Sequence, residues 1–130
     1  MNFRVGQTAS ISKVFSYEEV RLFAELSGDK NPIHLDSDYA KLNVFKKPIV
    51  HGMLVSSLTS SVLANNLPGP GTIYLGQSLK FFAPVYHGDE LTAEVEIINI
   101  TSKKQHIFLH TEVKNQNNVT VISGEARVKI

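Results

Sequence analysis

Two residues that could transfer protons, Asp29 and His34, lie five positions apart on either side of an Asn31-Pro32 pair. Because proline disfavours helical backbone at the residue before it, this segment is expected to bend. The bend would let the carboxylate and the imidazole converge on one water molecule. Two such groups can remove one proton and deliver another, which is what hydration of a double bond requires.

The same residues also have an ordinary structural interpretation. Aspartate beside glycine and proline is common in turns, so Asp29 would cap a turn and His34 would begin the next helix. On residue types and spacing alone, this structural interpretation is favoured over the chemical one.

A longer pattern around these residues resembles the signature of the MaoC-like, (R)-specific enoyl-CoA hydratases. Two motifs at a fixed separation match it, and so does a third stretch later in the chain. The matching stretches are Gly28-Asp29-x-Asn31-Pro32-x-His34, Pro48-Ile49-Val50-His51-Gly52-Met53 and Gly76-Gln77-Ser78-Leu79-Lys80-Phe81-x-Ala83-Pro84-Val85. The first two motifs together are specific, and the resemblance covers essentially the whole chain.

The resemblance implies reversible addition of water to a trans-2-enoyl thioester, with Asp29 and His34 holding the catalytic water. It also implies a catalytic role for Gly52, for which the structural alternative, a glycine needed at the helix entry, stays open beside the catalytic one. A backbone N–H at the start of a helix can stabilise the negative charge that develops on the thioester oxygen. Asn31 and Ser60 are expected in the substrate site, Asn31 ordering the loop or contacting the water network and Ser60 lining the site from the helix.

Apolar residues recur with a helical period in the first half of the chain, after a first strand predicted over residues 8–15. A helix is predicted to begin at Ser16, because Ser16 and Glu19 form the capping-box pattern, and to end at Gly28. Residues 28–35 are predicted to form a loop, and residues 36–41 a short helical turn.

A longer helix is predicted from Gly52 to about Asn66. The residues predicted on one face of it are Leu54, Leu58, Ser61, Val62 and Asn65. Its four serines are small enough for a ligand to approach, so Ser60 is not distinguished by size. They are Ser56, Ser57, Ser60 and Ser61. The Pro-Gly-Pro-Gly run at 68–71 ends this helix.

Apolar and polar residues alternate with period two in the second half, which predicts strands. The alternating segments are 71–85, 91–97, 107–113 and 122–130, joined by short turns into an antiparallel meander. A sheet with one apolar face needs a cover, and the long helix is the best candidate. We therefore predict an α+β fold, a single hot-dog domain over residues 1–130, in which a curved antiparallel sheet wraps around one central helix.

Composition excludes several classes of protein. The formal net charge is +1, which gives no general attraction to nucleic acid. There are no cysteines, so thiolate nucleophiles, disulfides and cysteine-ligated zinc are excluded. The most apolar stretch, residues 53–67, contains four serines and two asparagines and is not a membrane span. A cytoplasmic location is expected.

The remaining histidines are not predicted to react. His106 and His110 fall on a strand and would stand roughly 13 Å apart, too far to share one metal ion. His87 is expected to be exposed in a turn, and His51 to shape the start of the long helix. No metal and no cofactor are expected beyond the carrier of the thioester itself.

The expected partners are an acyl-CoA or acyl-carrier-protein thioester and a second copy of the chain, as a homodimer or a dimer of dimers. An exposed sheet edge that needs a partner supports the dimer independently. Surface lysines are candidates for contact with the carrier's phosphates, although any one of them is more simply an ordinary surface residue. They are Lys46, Lys47, Lys80, Lys103 and Lys104.

Two alternative functions remain open. The first is an acyl-CoA thioesterase with the same fold, which typically has an acidic residue on the central helix; the predicted helix contains no aspartate or glutamate. The second is a non-catalytic subunit that binds acyl thioesters. The intact Asp29, His34 and Gly52 count against a degenerate site.

Overall fold

A computed structural model of the 130-residue chain describes residues 2–102 and 105–130. Four helices and the first strand come before five further strands. In chain order the elements are β1 (Thr8–Val14), α1 (Tyr17–Ser27), α2 (Pro32–Leu35), α3 (Ser37–Lys41), α4 (Gly52–Asn65), β2 (Ile73–Gln77), β3 (Lys80–Phe81), β4 (Glu90–Thr101), β5 (His106–Lys114) and β6 (Thr120–Lys129).

The strands form one antiparallel sheet in the order β1-β4-β5-β6-β2, and the short β3 also pairs with β6. Helix α4 packs against β1, β4 and β5. The predicted α+β architecture, an antiparallel sheet around one long helix, is therefore confirmed. No helix in the described part of the chain is long and apolar enough to cross a membrane.

The core lies between α4 and the concave face of the sheet. From the helix, Val55, Val62 and Leu63 are at most 1% exposed. The predicted period-two faces of β4 and β5 supply the other side; their members are Leu91, Ala93, Val95, Ile97, Ile107, Leu109, Thr111 and Val113. Each large apolar side chain buried here stabilises the fold by about 1.5–3 kcal/mol, which fixes α4 against the sheet.

Helix α1 begins and ends where the sequence predicts. The Ser16 side chain accepts a hydrogen bond from the Glu19 N–H at 3.1 Å, and the Ser16 N–H donates to the Glu19 carboxylate at 3.0 Å. Gly28 closes the helix in the left-handed conformation, with φ +79°. This sharp end turns the chain towards Asp29.

The prediction of a continuous loop over residues 28–35 was wrong in its second half. Residues Pro32–Leu35 form one helical turn, in which Asn31 is the N-cap and its side chain accepts a hydrogen bond from the Ile33 N–H at 3.2 Å. The fixed φ of proline suits the first position of a helix, so the proline that ends one segment also begins the next.

The segment 71–85 was predicted as one alternating strand and instead forms two short ones. A register shift interrupts β2 between Tyr74 and Gly76, and the chain leaves the ladder before β3. At this break the Ser78 carbonyl lies against Gly124 of β6, where an added Cβ would stand 1.8 Å from the carbonyl oxygen. Among the strands of the described residues, only β4, β5 and β6 form the predicted meander.

The buried face of α4 is wider than the predicted one. Leu58 and Val62 are buried as expected, whereas Asn65 is exposed. Val55, Ser56, Thr59 and Leu63 are buried as well. Three strands, β1, β4 and β5, pack against α4, so a wide part of its circumference is covered.

Candidate active site

Asp29 lies in the loop between α1 and α2. Its backbone N–H donates to the Ser27 hydroxyl at 3.1 Å, and its carboxylate accepts a hydrogen bond from the Asn31 N–H at 3.3 Å. Asp29 therefore does form the local hydrogen bonds of a turn residue, as the structural interpretation expects. The carboxylate is exposed and retains capacity for a further hydrogen bond, since two oxygens can accept several.

His34 lies on the helical turn α2 and points towards the same cavity. Its Nδ1 lies 2.8 Å from the Ile49 carbonyl oxygen. Because a carbonyl can only accept, Nδ1 is the protonated nitrogen of the neutral ring, and Nε2 is left as an acceptor. The Ile49 N–H donates in turn to the Ile33 carbonyl at 3.1 Å, which ties this segment to α2.

Burial lowers the pKa of His34 below the ordinary histidine value, and the nearby His51 lowers that pKa further. The bond to Ile49 and the Asp29 carboxylate act in the opposite direction and raise the pKa, without reversing the shift. His34 is therefore neutral at pH 7, with Nε2 available to accept a proton.

The Asp29 carboxylate and the ring nitrogens of His34 and His51 approach within 4.8 Å of one another. Two hydrogen bonds of about 2.8 Å to one water oxygen span about 4.6 Å at a tetrahedral angle. One water molecule can therefore bind Asp29 and His34 at the same time. The predicted convergence of these two side chains is present in the structure.

Gly52 is the first residue of α4. The N-cap His51 makes no side-chain capping bond, and within the described ranges no acceptor takes the Gly52 N–H. This unpaired donor lies at the positive end of the α4 dipole, where negative charge is stabilised. The ring of Phe81 packs close above it: an added Cβ would lie 2.6 Å from Phe81 Cε1.

Asp29, His34 and Gly52 line a common cavity of about 520 Å³, called the Asp29 cavity below. Its other walls are mostly apolar and include Phe45, Met53, Phe81, Phe82 and Ile122. An apolar wall accommodates an acyl chain and also strengthens the hydrogen bonds made inside the cavity.

Asn31 and Ser60 lie outside this arrangement. Asn31 is exposed, and its side-chain oxygen caps α2, so its observed contact orders the loop. Ser60 lines a second cavity of about 520 Å³ between α4 and β2, called the Ser60 cavity below. Met53 lines both cavities, so the two are neighbours.

His51 is the site residue that the sequence did not identify. It is N-cap of α4, as expected of a residue that shapes the helix entry, but it also contacts both proposed catalytic residues. Its ring stacks on His34 with centroids 3.8 Å apart, and its Nε2 lies 2.9 Å from the Asp29 carbonyl oxygen. Its place in the second motif was a signal, but spacing alone does not reveal a stacking partner.

The spacing of Asp29, His34 and His51 raises the question of a metal ion. A metal ion binds in the plane of an imidazole ring, along the nitrogen lone pair. The two rings are stacked with only 24° between their planes, so their lone pairs run side by side and do not meet at one point. The arrangement suits a water molecule held by Asp29 and His34 better than a metal shared by both rings.

The candidate phosphate-binding lysines are distributed unevenly. Lys46 and Lys47 are exposed next to Phe45 at the Asp29 cavity, and Lys47 lies over the Tyr86 ring at 4.5 Å. Lys80 is exposed on β3, and Lys103 and Lys104 lie outside the described residues. His87 is exposed as predicted, with its ring edge-on to Tyr17.

The fold and this site define a hot-dog protein with an Asp–His pair at the entry of the central helix. Comparison with known proteins identifies its family: the MaoC-like domain matches residues 3–119, and the chain belongs to that family.

Relatives match the chain over nearly its whole length. An (R)-specific enoyl-CoA hydratase of Aeromonas caviae is 49% identical over 99% of this chain and 96% of its own. A protein of the same name from Rhodospirillum rubrum is 45% identical over 99% of this chain and 89% of its own. The solved (R)-hydratase of A. caviae superposes with a TM-score of 0.96 at 49% identity, covering 98% of this chain and 97% of that one. The predicted family and fold are confirmed.

Proposed function

We propose that this protein is an (R)-specific enoyl-CoA hydratase, which adds water reversibly to a trans-2-enoyl thioester. The observation that supports this most directly is one cavity in which Asp29, His34 and the unpaired Gly52 N–H meet. The names of full-length relatives confirm the predicted hydro-lyase class. The roles of individual residues are our proposal.

The reaction begins with the thioester oxygen on the Gly52 N–H. This contact withdraws electron density from the double bond and stabilises the enolate that forms when water attacks the β-carbon. The interaction strengthens as negative charge develops on the oxygen, so it stabilises the transition state more than the bound substrate.

Asp29 and His34 bind the attacking water between them. As water oxygen bonds to the β-carbon, one of its protons passes to this pair, and the pair returns a proton to the α-carbon of the enolate. The net change is addition of one water, with OH on the β-carbon and H on the α-carbon. Because one Asp29–His34 pair handles both protons, OH and H add to the same face of the double bond. A substrate bound with one defined face towards this pair gives a single enantiomer, the (R) product named for the relatives.

The test is hydration of crotonyl-CoA by the purified protein, followed by loss of enoyl absorbance, with chiral analysis of the product. We expect (R)-3-hydroxybutyryl-CoA from the wild type and none above background from Asp29→Asn. Asp38→Asn, an exposed aspartate on α3, is the matched control and keeps wild-type activity. Hydration by Asp29→Asn at the wild-type rate would contradict the assignment.

The same assay discriminates the two alternatives. Release of free CoA without hydration would indicate a thioesterase, although α4 contains no acidic residue. Binding of crotonyl-CoA without turnover would indicate a non-catalytic subunit. Comparison of crotonyl-CoA with crotonyl-acyl-carrier protein at equal concentration determines which carrier the enzyme uses.

We further propose a homodimer formed through the β2–β3 edge of the sheet. β2 is the last strand in the sheet order, and its residues face outwards with unusual apolar exposure: Ile73 is 55% exposed. Phe81 at 55% and Phe82 at 60% continue the patch to the mouth of the Asp29 cavity. An exposed apolar edge of this kind favours pairing with a second copy, alone or within a dimer of dimers.

Sedimentation equilibrium tests the dimer. We expect the wild type to have at least twice the mass of one chain and Ile73→Lys to sediment as a monomer. Leu22→Lys, at a leucine on α1 that is 59% exposed, is the control and leaves the mass unchanged. A monomeric wild type would contradict the proposal.

The remaining sequence-based assignments stay proposals. They are a substrate contact for Ser60, a place for Asn31 in the substrate site, a single domain over residues 1–130, a cytoplasmic location and the absence of a resident metal or cofactor. Ser60 is the most accessible to test: Ser60→Leu narrows the Ser60 cavity, and we expect it to reduce activity on longer enoyl chains more than on crotonyl-CoA.

A further inference from the structure

We propose that His51 is a positioning residue for the reaction, which holds the Asp29 loop and the His34 ring in their working geometry. The proposal rests on the proposed function for the roles of Asp29 and His34. It is supported by three contacts of one side chain that is only 2% exposed.

The first contact fixes Asp29. His51 Nε2 lies 2.9 Å from the Asp29 carbonyl oxygen, and a carbonyl can only accept, so Nε2 carries the proton and donates. The other backbone group of Asp29, its N–H, bonds only to the neighbouring Ser27 hydroxyl. Within residues 2–102 and 105–130, the hydrogen bond from His51 is therefore the one that joins the exposed Asp29 to α4.

The second contact fixes His34. The two imidazole rings stack with centroids 3.8 Å apart and 24° between their planes. The bond from His34 Nδ1 to the Ile49 carbonyl fixes one edge of the ring but allows rotation about that bond. The stack on His51 removes this freedom, so Nε2 of His34 stays directed at the water site.

The third contact fixes His51 itself. The ring of Phe23 on α1 meets His51 edge-on, with centroids 4.8 Å apart at 64°. His51 is thus held between Phe23 on one side and His34 on the other. One buried ring connects α1, the Asp29 loop, α2 and the start of α4.

The His51 ring also has one polar atom without a hydrogen-bond partner among the described residues. Its second nitrogen, Nδ1, is buried and has no hydrogen-bond partner within the described ranges. Protonation of Nδ1 would bury a positive charge against His34. The titratable groups next to the ring are Asp29, from the loop after α1, and His34, from α2; Phe23 is neutral. His51 therefore belongs to the same cluster of titratable side chains as Asp29 and His34.

Two substitutions separate the contacts. His51→Phe keeps a flat ring for the stack and removes the donor to Asp29, and His51→Gln keeps an N–H donor of similar reach and removes the ring. A misplaced catalytic group costs up to about 100-fold in rate. We expect His51→Phe to lower kcat for crotonyl-CoA hydration by about 10- to 100-fold with KM changed less than about threefold, and His51→Gln to recover part of the loss.

A second measurement does not depend on activity. In an NMR titration of the His34 ring, we expect the pKa of His34 to rise in His51→Phe, because the neighbouring imidazole that lowers it is gone. His87→Phe, at an exposed histidine, is the matched control and leaves both kcat and the pKa of His34 unchanged. Thermal melting of each variant identifies any that does not fold, and His51→Gln then provides the test.

An unchanged kcat and an unchanged pKa of His34 in a folded His51→Phe would overturn the proposal. The proposal would also be overturned if both variants lost kcat equally and only in proportion to their loss of folded protein. That result would indicate a purely structural role for His51. If the wild type itself does not hydrate enoyl-CoA, the proposed function fails, whereas the titration still reports whether His51 sets the state of His34.

Discussion

Two neighbouring cavities of about 520 Å³ share the side chain of Met53, yet only one is built for proton transfer. The Asp29 cavity is lined by a carboxylate, two imidazoles and an unpaired helix N–H. The Ser60 cavity is lined by hydroxyl groups, and most of them already donate hydrogen bonds to other groups of the protein. Ser56 donates to the Gly52 carbonyl at 2.8 Å, Ser57 to the Leu54 carbonyl at 2.6 Å, and Thr59 to the Ser56 carbonyl at 2.7 Å.

The Tyr74 hydroxyl, which also lines the Ser60 cavity, is not suited to transfer protons at pH 7 either. Tyr74 bonds to the Gln77 side chain, and burial raises the pKa of Tyr74 above its ordinary value, so the phenol is neutral at pH 7. The comparison shows that polar lining alone does not make a reactive cavity. What differs is whether local backbone carbonyls satisfy the side chains or leave them available to a ligand.

Removal of the Asp–His pair is the largest expected difference between the cavities. We expect the double variant Asp29→Asn/His34→Ala to lose at least about 10³-fold in kcat/KM for crotonyl-CoA, since general acid–base groups contribute about 10²–10⁴-fold. Ser57→Ala, at an exposed serine that lines the other cavity, is the control and loses less than about threefold. Full activity in the double variant would remove the distinction between the cavities.

Gly124 supports the chain that forms walls of both cavities. An alanine Cβ would lie 1.8 Å from the Ser78 carbonyl oxygen, and a backbone atom cannot move aside cheaply. We expect Gly124→Ala to lower the free energy of unfolding by about 3 kcal/mol, as forced overpacking does. Urea denaturation measures it. Gly76→Ala, where nothing lies within 4 Å, is the control, and equal stability of the two variants would show that the contact is not important.

Gly52 has both a steric constraint, the nearby Phe81 ring, and a proposed catalytic group, its backbone N–H. In Gly52→Ala the new Cβ would lie 2.6 Å from Phe81 Cε1, so the ring or the helix start must shift away from the proposed oxygen site. We expect kcat to fall by about 10- to 100-fold, because loss of oxyanion alignment has this order of effect.

The double variant Gly52→Ala/Phe81→Leu removes the clashing ring atoms and tests the cause. Recovery of most of kcat would show that the loss is steric displacement of the N–H. Gly76→Ala adds a methyl group in the Ser60 cavity and should leave kcat unchanged. A Gly52→Ala enzyme with wild-type kcat would contradict a role for this N–H.

The pH profile gives the smallest of these effects. The pKa of His34 is lowered, so the neutral ring persists below the ordinary histidine value of about 6.5. We expect kcat/KM to be maintained as pH falls through 6.5 and to decline only below it, as the His34 ring becomes protonated. A decline that begins above pH 6.5 would contradict a neutral His34 as the working form. His87→Gln should not move the limb.

The sequence predicted well those features that depend on local pattern. The capping box at Ser16, the helix start at Gly52 and the alternation over β4 and β5 are all present, because period and capping act within a few residues. The break between β2 and β3 was missed. It depends on Gly124, which comes about 45 residues later and meets Ser78 only once β6 is in place.

The sequence alone therefore predicted the family and the fold, and the resemblance to that family, rather than spacing, pointed to Asp29 and His34 as the proposed catalytic pair. Only the tertiary structure decided that His51 joins the pair, and that Ser60 lines a separate cavity. Stacking and cavity walls join residues from different elements, and their geometry is set by how α4 packs in the sheet. The sequence pattern does not give the distances between residues of different elements, so it could not predict these contacts.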